Sequence, residues 1–174
     1  MLFRSRLELK KAPYKDYPEE DVFGSEFKYT LTKDQEKSIL EINNDLKRNI
    51  PMDRLLCGDV GFGKTEVAMR AMFKAVLNNE QVLYLCPTTI LSKQQYNVAK
   101  ERFKNWSIEI ALLNRHVTHK KTMQILEDLK SGKIDILFGT HRILSDDIVC
   151  KNLDRKSTRL NSSHYQQSRM PSSA

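Results

Sequence analysis

Cysteine is scarce in this chain and poorly placed for cross-linking. Cys57, Cys86 and Cys150 are odd in number and far apart, so neither a disulfide framework nor a C-x-x-C metal pair can be drawn. They read as buried thiols in a reducing compartment. Long apolar runs are missing too: none approaches the roughly 18 residues of a membrane span, and the opening MLFRSRLELKK lacks the apolar stretch of a secretory signal. These absences argue against secretion and membrane insertion and for a cytoplasmic protein. No internal repeat is visible. Lysine and arginine outnumber acids 29 to 22, giving +7. Arg155, Lys156, Arg159 and Arg169 supply four of those charges, and the +3 left elsewhere suits a solvated mixed-charge surface at least as well as a nucleic-acid footprint.

What is present is enough for one domain: 174 residues, 40% of them hydrophobic. Residues 1–25 mix charge, proline and aromatics without period and read as a linker or the end of an upstream module. Thr32 stands three residues before Gln35, and Ile39, Ile42 and Leu46 follow at helical spacing, which predicts a capped amphipathic helix to about Arg48. An alternation then sets in. The runs 54–57 (RLLC), 81–86 (QVLYLC), 108–113 (IEIALL) and 134–138 (IDILF) read as buried strands, separated by helical patterns after Thr65, after Pro87 and over 118–130. Short apolar strands alternating with helices of ten or more residues predict an α/β parallel sheet covered by helices on both faces. After Leu153 the text DRKSTRLNSSHYQQSRMPSSA has no hydrophobic period, and residues 154–174 are expected to be disordered.

The chemistry concentrates in residues 58–65, GDVGFGKT. Gly58, Gly63, Lys64 and Thr65 satisfy G-x-x-x-x-G-K-[ST], between a predicted strand and a predicted helix. Glycines let the backbone wrap a polyphosphate, so that the N–H groups of Asp59, Val60, Gly61, Phe62 and their neighbours face the anion at a helix N-terminus. Lys64 would reach the terminal phosphates of ATP, and the Thr65 hydroxyl would be the Mg²⁺ ligand. Hydrolysis asks for more, namely an acid at a strand end beside a second one that orients water. No apolar run here ends that way: Asp146-Asp147 follows Ile143-Leu144-Ser145, Glu127-Asp128 lies in a helical pattern, and Glu19-Glu20-Asp21 precedes the fold.

DRLLCGDVGFGKTEVAMRAMFKAV, LCPTTILSKQQY and KIDILFGTHRIL, in that order, resemble the first motor domain of the bacterial transcription-repair coupling factor family, double-stranded DNA translocases of helicase superfamily two. The likeness covers roughly residues 26–153 and implies a RecA-like P-loop fold. Branched-DNA helicases that remodel replication forks share the GDVG-GKT and GTH elements. That family typically has serine at Phe62 and glutamate at Thr89, so these two residues and the run TEVAMRA favour the coupling factor.

The resemblance also implies roles. Gln35 is similar to the family's adenine-reading glutamine, although the same residue reads as half of a capping box with Thr32. Phe27 is similar to a residue flanking the adenine, or is a core plug. Thr88 and Thr89, and Gly139, Thr140 and His141, are similar to contacts with a DNA phosphate. Arg115 and His116 lie near where relatives touch the strand. Further implied are ATP and Mg²⁺ as cofactors, double-stranded DNA as a partner through its backbone, and RNA polymerase and excision-repair proteins as partners through modules elsewhere.

In the family, the text after KNL runs into a further strand, the Walker B strand, closing on Asp-Glu-Glu-His. Here residues 154–174 instead resemble translated sequencing-adapter read-through. The expectation is therefore a RecA-like domain truncated before that strand, with a non-native tail, able to bind ATP but inefficient in hydrolysing it.

Overall fold

The computed structural model describes residues 11–59 and 61–151 and the backbone of 159–161. Residues 1–10, Val60, 152–158 and 162–174 fall outside the described residues. The elements, in chain order, are α1 (Glu19–Ser25), α2 (Lys33–Leu46), α3 (Lys64–Leu77), β1 (Val82–Leu85), α4 (Thr89–Arg102), β2 (Ile110–Leu113), α5 (His119–Ser131), β3 (Ile136–Gly139), a 3-10 turn (His141–Leu144) and β4 (Arg159–Asn161).

The strands pair in parallel in the order β2-β3-β1-β4. Parallel strands need crossovers, and α4 joins β1 to β2 while α5 joins β2 to β3. Side chains alternate across β1 as the pleat requires. Val82 and Tyr84 enter a core built with Val67, Met69, Met72 and Phe73 of α3 and Ala99 of α4. Leu83 enters the opposite core, with Ile125 and Leu129 of α5. Helices thus cover both faces, and the α/β parallel sheet with RecA-like order of elements is the architecture observed.

Four sequence expectations change. Residues 54–57 form no strand: Arg54, Leu55 and Cys57 are exposed, Leu55 at 85%, and only Leu56 packs on the core. A strand exists only through ladder bonds to a neighbour, and 54–57 pairs with no strand, while β1 lies between β3 and β4. The tail, expected to lack structure, supplies that β4, with Leu83, Tyr84 and Leu85 in register with Arg159, Leu160 and Asn161. Residues 11–25, expected as a linker or the end of an upstream module, pack on the domain, with Tyr14 and Phe23 buried. Of the three thiols only Cys86 is buried; Cys57 is exposed, and Cys150 is half-buried, its thiol pushed up to about 11 by desolvation.

Candidate nucleotide and nucleic-acid sites

The geometry follows from the direction of α3. It packs on the sheet and returns into β1 through a tight turn at Asn79, which takes a positive φ of 60°. Its N-terminus therefore lies at the carboxyl edge of β1, where open α/β sheets bind ligands. Gly63 caps the helix in the left-handed region at φ 66°, and no side chain caps it. A Cβ at Gly63 would meet the Gln35 side-chain nitrogen. The Glu66 N–H donates back to the Gly63 carbonyl at 2.9 Å, while no side chain caps the N–H groups of Lys64 and Thr65 at this glycine corner, a donor set suited to phosphate oxygens.

Lys64 lies across this corner. Its Nζ donates to the carbonyl oxygens of Gly58, at 2.6 Å, and Asp59, at 2.7 Å. The ammonium is thereby held over the loop through acceptors that an anion could replace. Gly61, also at positive φ, and Phe62 are exposed, while Thr65 is half-buried in the first turn of α3. The residues fit a triphosphate: main-chain donors, one ammonium, and room at the glycines. Towards Mg²⁺ the loop contributes the Thr65 hydroxyl. Among the described residues there is no group of three or more His, Cys, Asp or Glu side chains that could hold a metal unaided, so such an ion would take its remaining ligands from phosphate and water.

Gln35 completes the capping box: its N–H donates to Thr32 Oγ1, at 3.3 Å, and its Oε1 accepts from the Thr32 N–H, at 2.9 Å. Its Nε2 also donates to the Phe62 carbonyl, at 2.6 Å, tying α2 to the P-loop. Both ends of the amide are therefore engaged. Phe27 is half-buried and meets the exposed Tyr29 edge-on, with ring centroids 5.6 Å apart.

The second constellation also lies at the carboxyl edge of the sheet. Leu85, Gly139 and Leu113 are level in the parallel register, so the segments leaving β1, β3 and β2 emerge side by side. Thr88 and Thr89 follow β1, Thr140 and His141 follow β3, and Arg115 and His116 follow β2. Thr88 caps α4, its Oγ1 accepting from Leu91 N–H at 3.2 Å. Gly139 must be glycine, because a Cβ would strike the Leu113 carbonyl oxygen and Ile143 Cγ2. That contact lets β3 turn sharply into the 3-10 segment carrying His141, which is exposed. Arg115 and Thr140 line one open cleft together with His119, Thr122 and Arg142. The last three were not singled out by sequence reasoning; His119 and Thr122 follow Arg115 closely in the chain, and the β2–β3 register brings Arg142 of the 3-10 turn beside them. Arg142 is bound to both carboxylate oxygens of Asp147, which holds that carboxyl below its usual range. Arg115 is in no ion pair among the described residues.

A parallel sheet whose G-x-x-x-x-G-K-T loop leads through a glycine cap into a helix at the sheet's carboxyl edge defines a P-loop α/β protein. Residues 32–166 match the DEAD/DEAH box helicase family, and the chain belongs to it. It is 56% identical to the transcription-repair-coupling factor of Borreliella burgdorferi over 141 residues and 52% identical to that of Bacillus subtilis over 138, in each case 79% of this chain. The chain spans 12% of the length of these relatives. Among solved structures, RecG bound to a three-way DNA junction matches with a TM-score of 0.81 and 34% identity, over 86% of this chain and 21% of that one. The resemblance read from the three motifs is confirmed. No described helix is long and apolar enough to cross a membrane.

Proposed function

We propose that this chain is the ATP-binding part of a double-stranded DNA translocase of the transcription-repair-coupling kind. Its higher identity to coupling factors than to the RecG chain supports that reading over a branched-DNA helicase, in agreement with Phe62 and Thr89. The observation that carries the proposal is the seat of Lys64 across the Gly58 and Asp59 carbonyls at the uncapped start of α3. In this reading, residues 58–65 hold the phosphates, Gln35 and Phe27 meet the adenine, and Thr65 ligates Mg²⁺. The ion would neutralise phosphate charge. To read the adenine, Gln35 must give up either Thr32 or Phe62.

Thr88, Thr89, Gly139, Thr140, His141 and Arg115 are the proposed contacts with the DNA backbone. Such contacts would be sequence-independent and weakened by salt. Partners such as RNA polymerase and excision-repair proteins would be met by other parts of a protein of this kind.

Turnover by this chain is proposed to be slow. The strand beside β1 carries Arg159-Leu160-Asn161, followed in sequence by Ser162-Ser163-His164, where the family resemblance implies Asp-Glu-Glu-His. None of these residues supplies a carboxylate for metal or water, and each such group contributes of order 10²-fold.

Titration calorimetry with Mg-ATP tests the binding. The expected result is saturable binding by a folded sample, weakened about 100-fold in Lys64→Ala, as the loss of one or two charge-assisted hydrogen bonds implies. A folded chain with no affinity for Mg-ATP would overturn the reading. DNA-stimulated hydrolysis that disappears in Lys64→Ala would overturn the slow turnover alone.

A further inference from the structure

The stripe Glu66, Arg70 and Lys74 runs along α3 at i, i+4 and i+8. Charged residues so arranged normally face water, yet Glu66 is 5% exposed and Lys74 0%. The segment ahead of α2 covers them. At the far end of α3, Lys15 N–H donates to Asn78 Oδ1 at 2.8 Å, and Asn78 Nδ2 donates to the Lys15 carbonyl at 3.1 Å. One turn nearer the P-loop, Lys74 Nζ meets Asp16 at 2.6 Å and Glu20 at 2.8 Å. Nearer still, Arg70 Nη2 donates to the Gly24 carbonyl at 3.0 Å. Glu66 accepts from Arg70 Nε at 2.9 Å and from Arg102 Nη2 at 3.0 Å. Arg102 Nη2 also donates to the Phe23 carbonyl at 2.6 Å, and its guanidinium lies 3.6 Å above the Phe23 ring. The strap thus runs antiparallel to α3, bonded directly as far as Arg70, and its network reaches Glu66, the residue directly after Thr65, through Arg70 and through Arg102 of α4.

We infer that residues 11–26 are a clasp that sets the position of the P-loop helix, so that the hold of the strap on α3 and the affinity of the phosphate loop are linked. Buried ion networks of this kind add little net stability, but as fixed partners they can specify register. The network reaches Glu66, so a strap that slips or lifts displaces the first turn, where the phosphate-facing amides lie. Linkage makes the effect reciprocal: a nucleotide that needs the first turn in place tightens the strap. A pull on the chain ahead of Lys11 would then loosen the nucleotide. The link to nucleotide rests on the reading of residues 58–65 as a triphosphate site, whereas the hold of the strap on the first turn of α3 does not.

The test uses the whole chain and the variant Asp16→Asn/Glu20→Gln, with Arg70→Lys as a second variant should the first not fold. Hydrogen exchange without nucleotide is read at residues 15–26, at 64–67 and, as a control, at 125–129 in α5. The clasp requires the amides of 64–67 to exchange faster by about 5-fold or more, the lower range of coupling between sites, with α5 unchanged. Faster exchange confined to 15–26 would overturn it, because the strap would then be packing alone. With Mg-ATP, the variant should bind more weakly by a similar factor, and nucleotide should slow exchange at 15–26 in the unaltered chain. If the unaltered chain binds no Mg-ATP, the nucleotide reading fails while the exchange comparison still decides the clasp.

Discussion

The chain before the P-loop and the chain that wraps behind it live in opposite surroundings. Phe23 is wholly buried, stacked 4.2 Å from Phe73 and 5.3 Å from Phe103, with Trp106 edge-on. Leu55, three residues before the glycine loop starts at Gly58, is 85% exposed. Both are large apolar side chains, so hydrophobicity does not separate them. What separates them is whether a surface stands ready to receive them. Phe23 meets an aromatic pocket between α3 and α4, whereas Leu55 lies on a segment with no ladder neighbour.

That contrast can be tested by substitution. Phe23→Ala should have the largest effect, about 3–5 kcal/mol of stability, the range for emptying a buried aromatic site. It would be read as a fall in the denaturant midpoint at constant slope. A loss under about 1 kcal/mol would mean that the strap does not close over α3. Acid should come next. Hydrogen bonds from Lys47 and Lys74 hold the Asp16 carboxyl below its ordinary value. A depressed folded value stabilises above the ordinary carboxylate range, and that contribution is lost as pH falls through the depressed value. Asp16 is 61% exposed, so screening keeps the effect within about 1 kcal/mol. Stability measured against pH in Asp16→Asn should show a shallower acid limb than the unaltered chain; identical limbs would remove Asp16 from the clasp. Leu55→Ser should do least, within about 0.5 kcal/mol, as for other exposed positions. A loss above about 2 kcal/mol would place 54–57 in a sheet.

Much of the fold was legible in sequence. Pleat and helix periods act locally, so the runs at 81–86, 108–113 and 134–138 gave strands within two residues of their observed ends, and Thr32 with Gln35 gave the cap of α2. The phosphate loop was legible because glycines, lysine and threonine must stand at fixed offsets to do their work. Residues 11–25 were not, because their order comes from partners 46 to 79 positions away: Arg70 for Gly24, Lys74 for Asp16, Arg102 for Phe23. No local period encodes such pairs. The approach of Arg142 to Arg115 across the sheet was hidden for the same reason.

The sequence alone determined the alternation of strands and helices, the glycine corner, and the lysine set upon it, since each depends on neighbours within one or two turns of chain. Tertiary structure decided which apolar runs found a partner: it buried Phe23, left Leu55 in water, set Arg159–Asn161 beside β1, and turned the charged stripe of α3 inward. Ladder bonds, aromatic stacks and buried ion pairs each need two surfaces, and a sequence read along its length presents only one at a time.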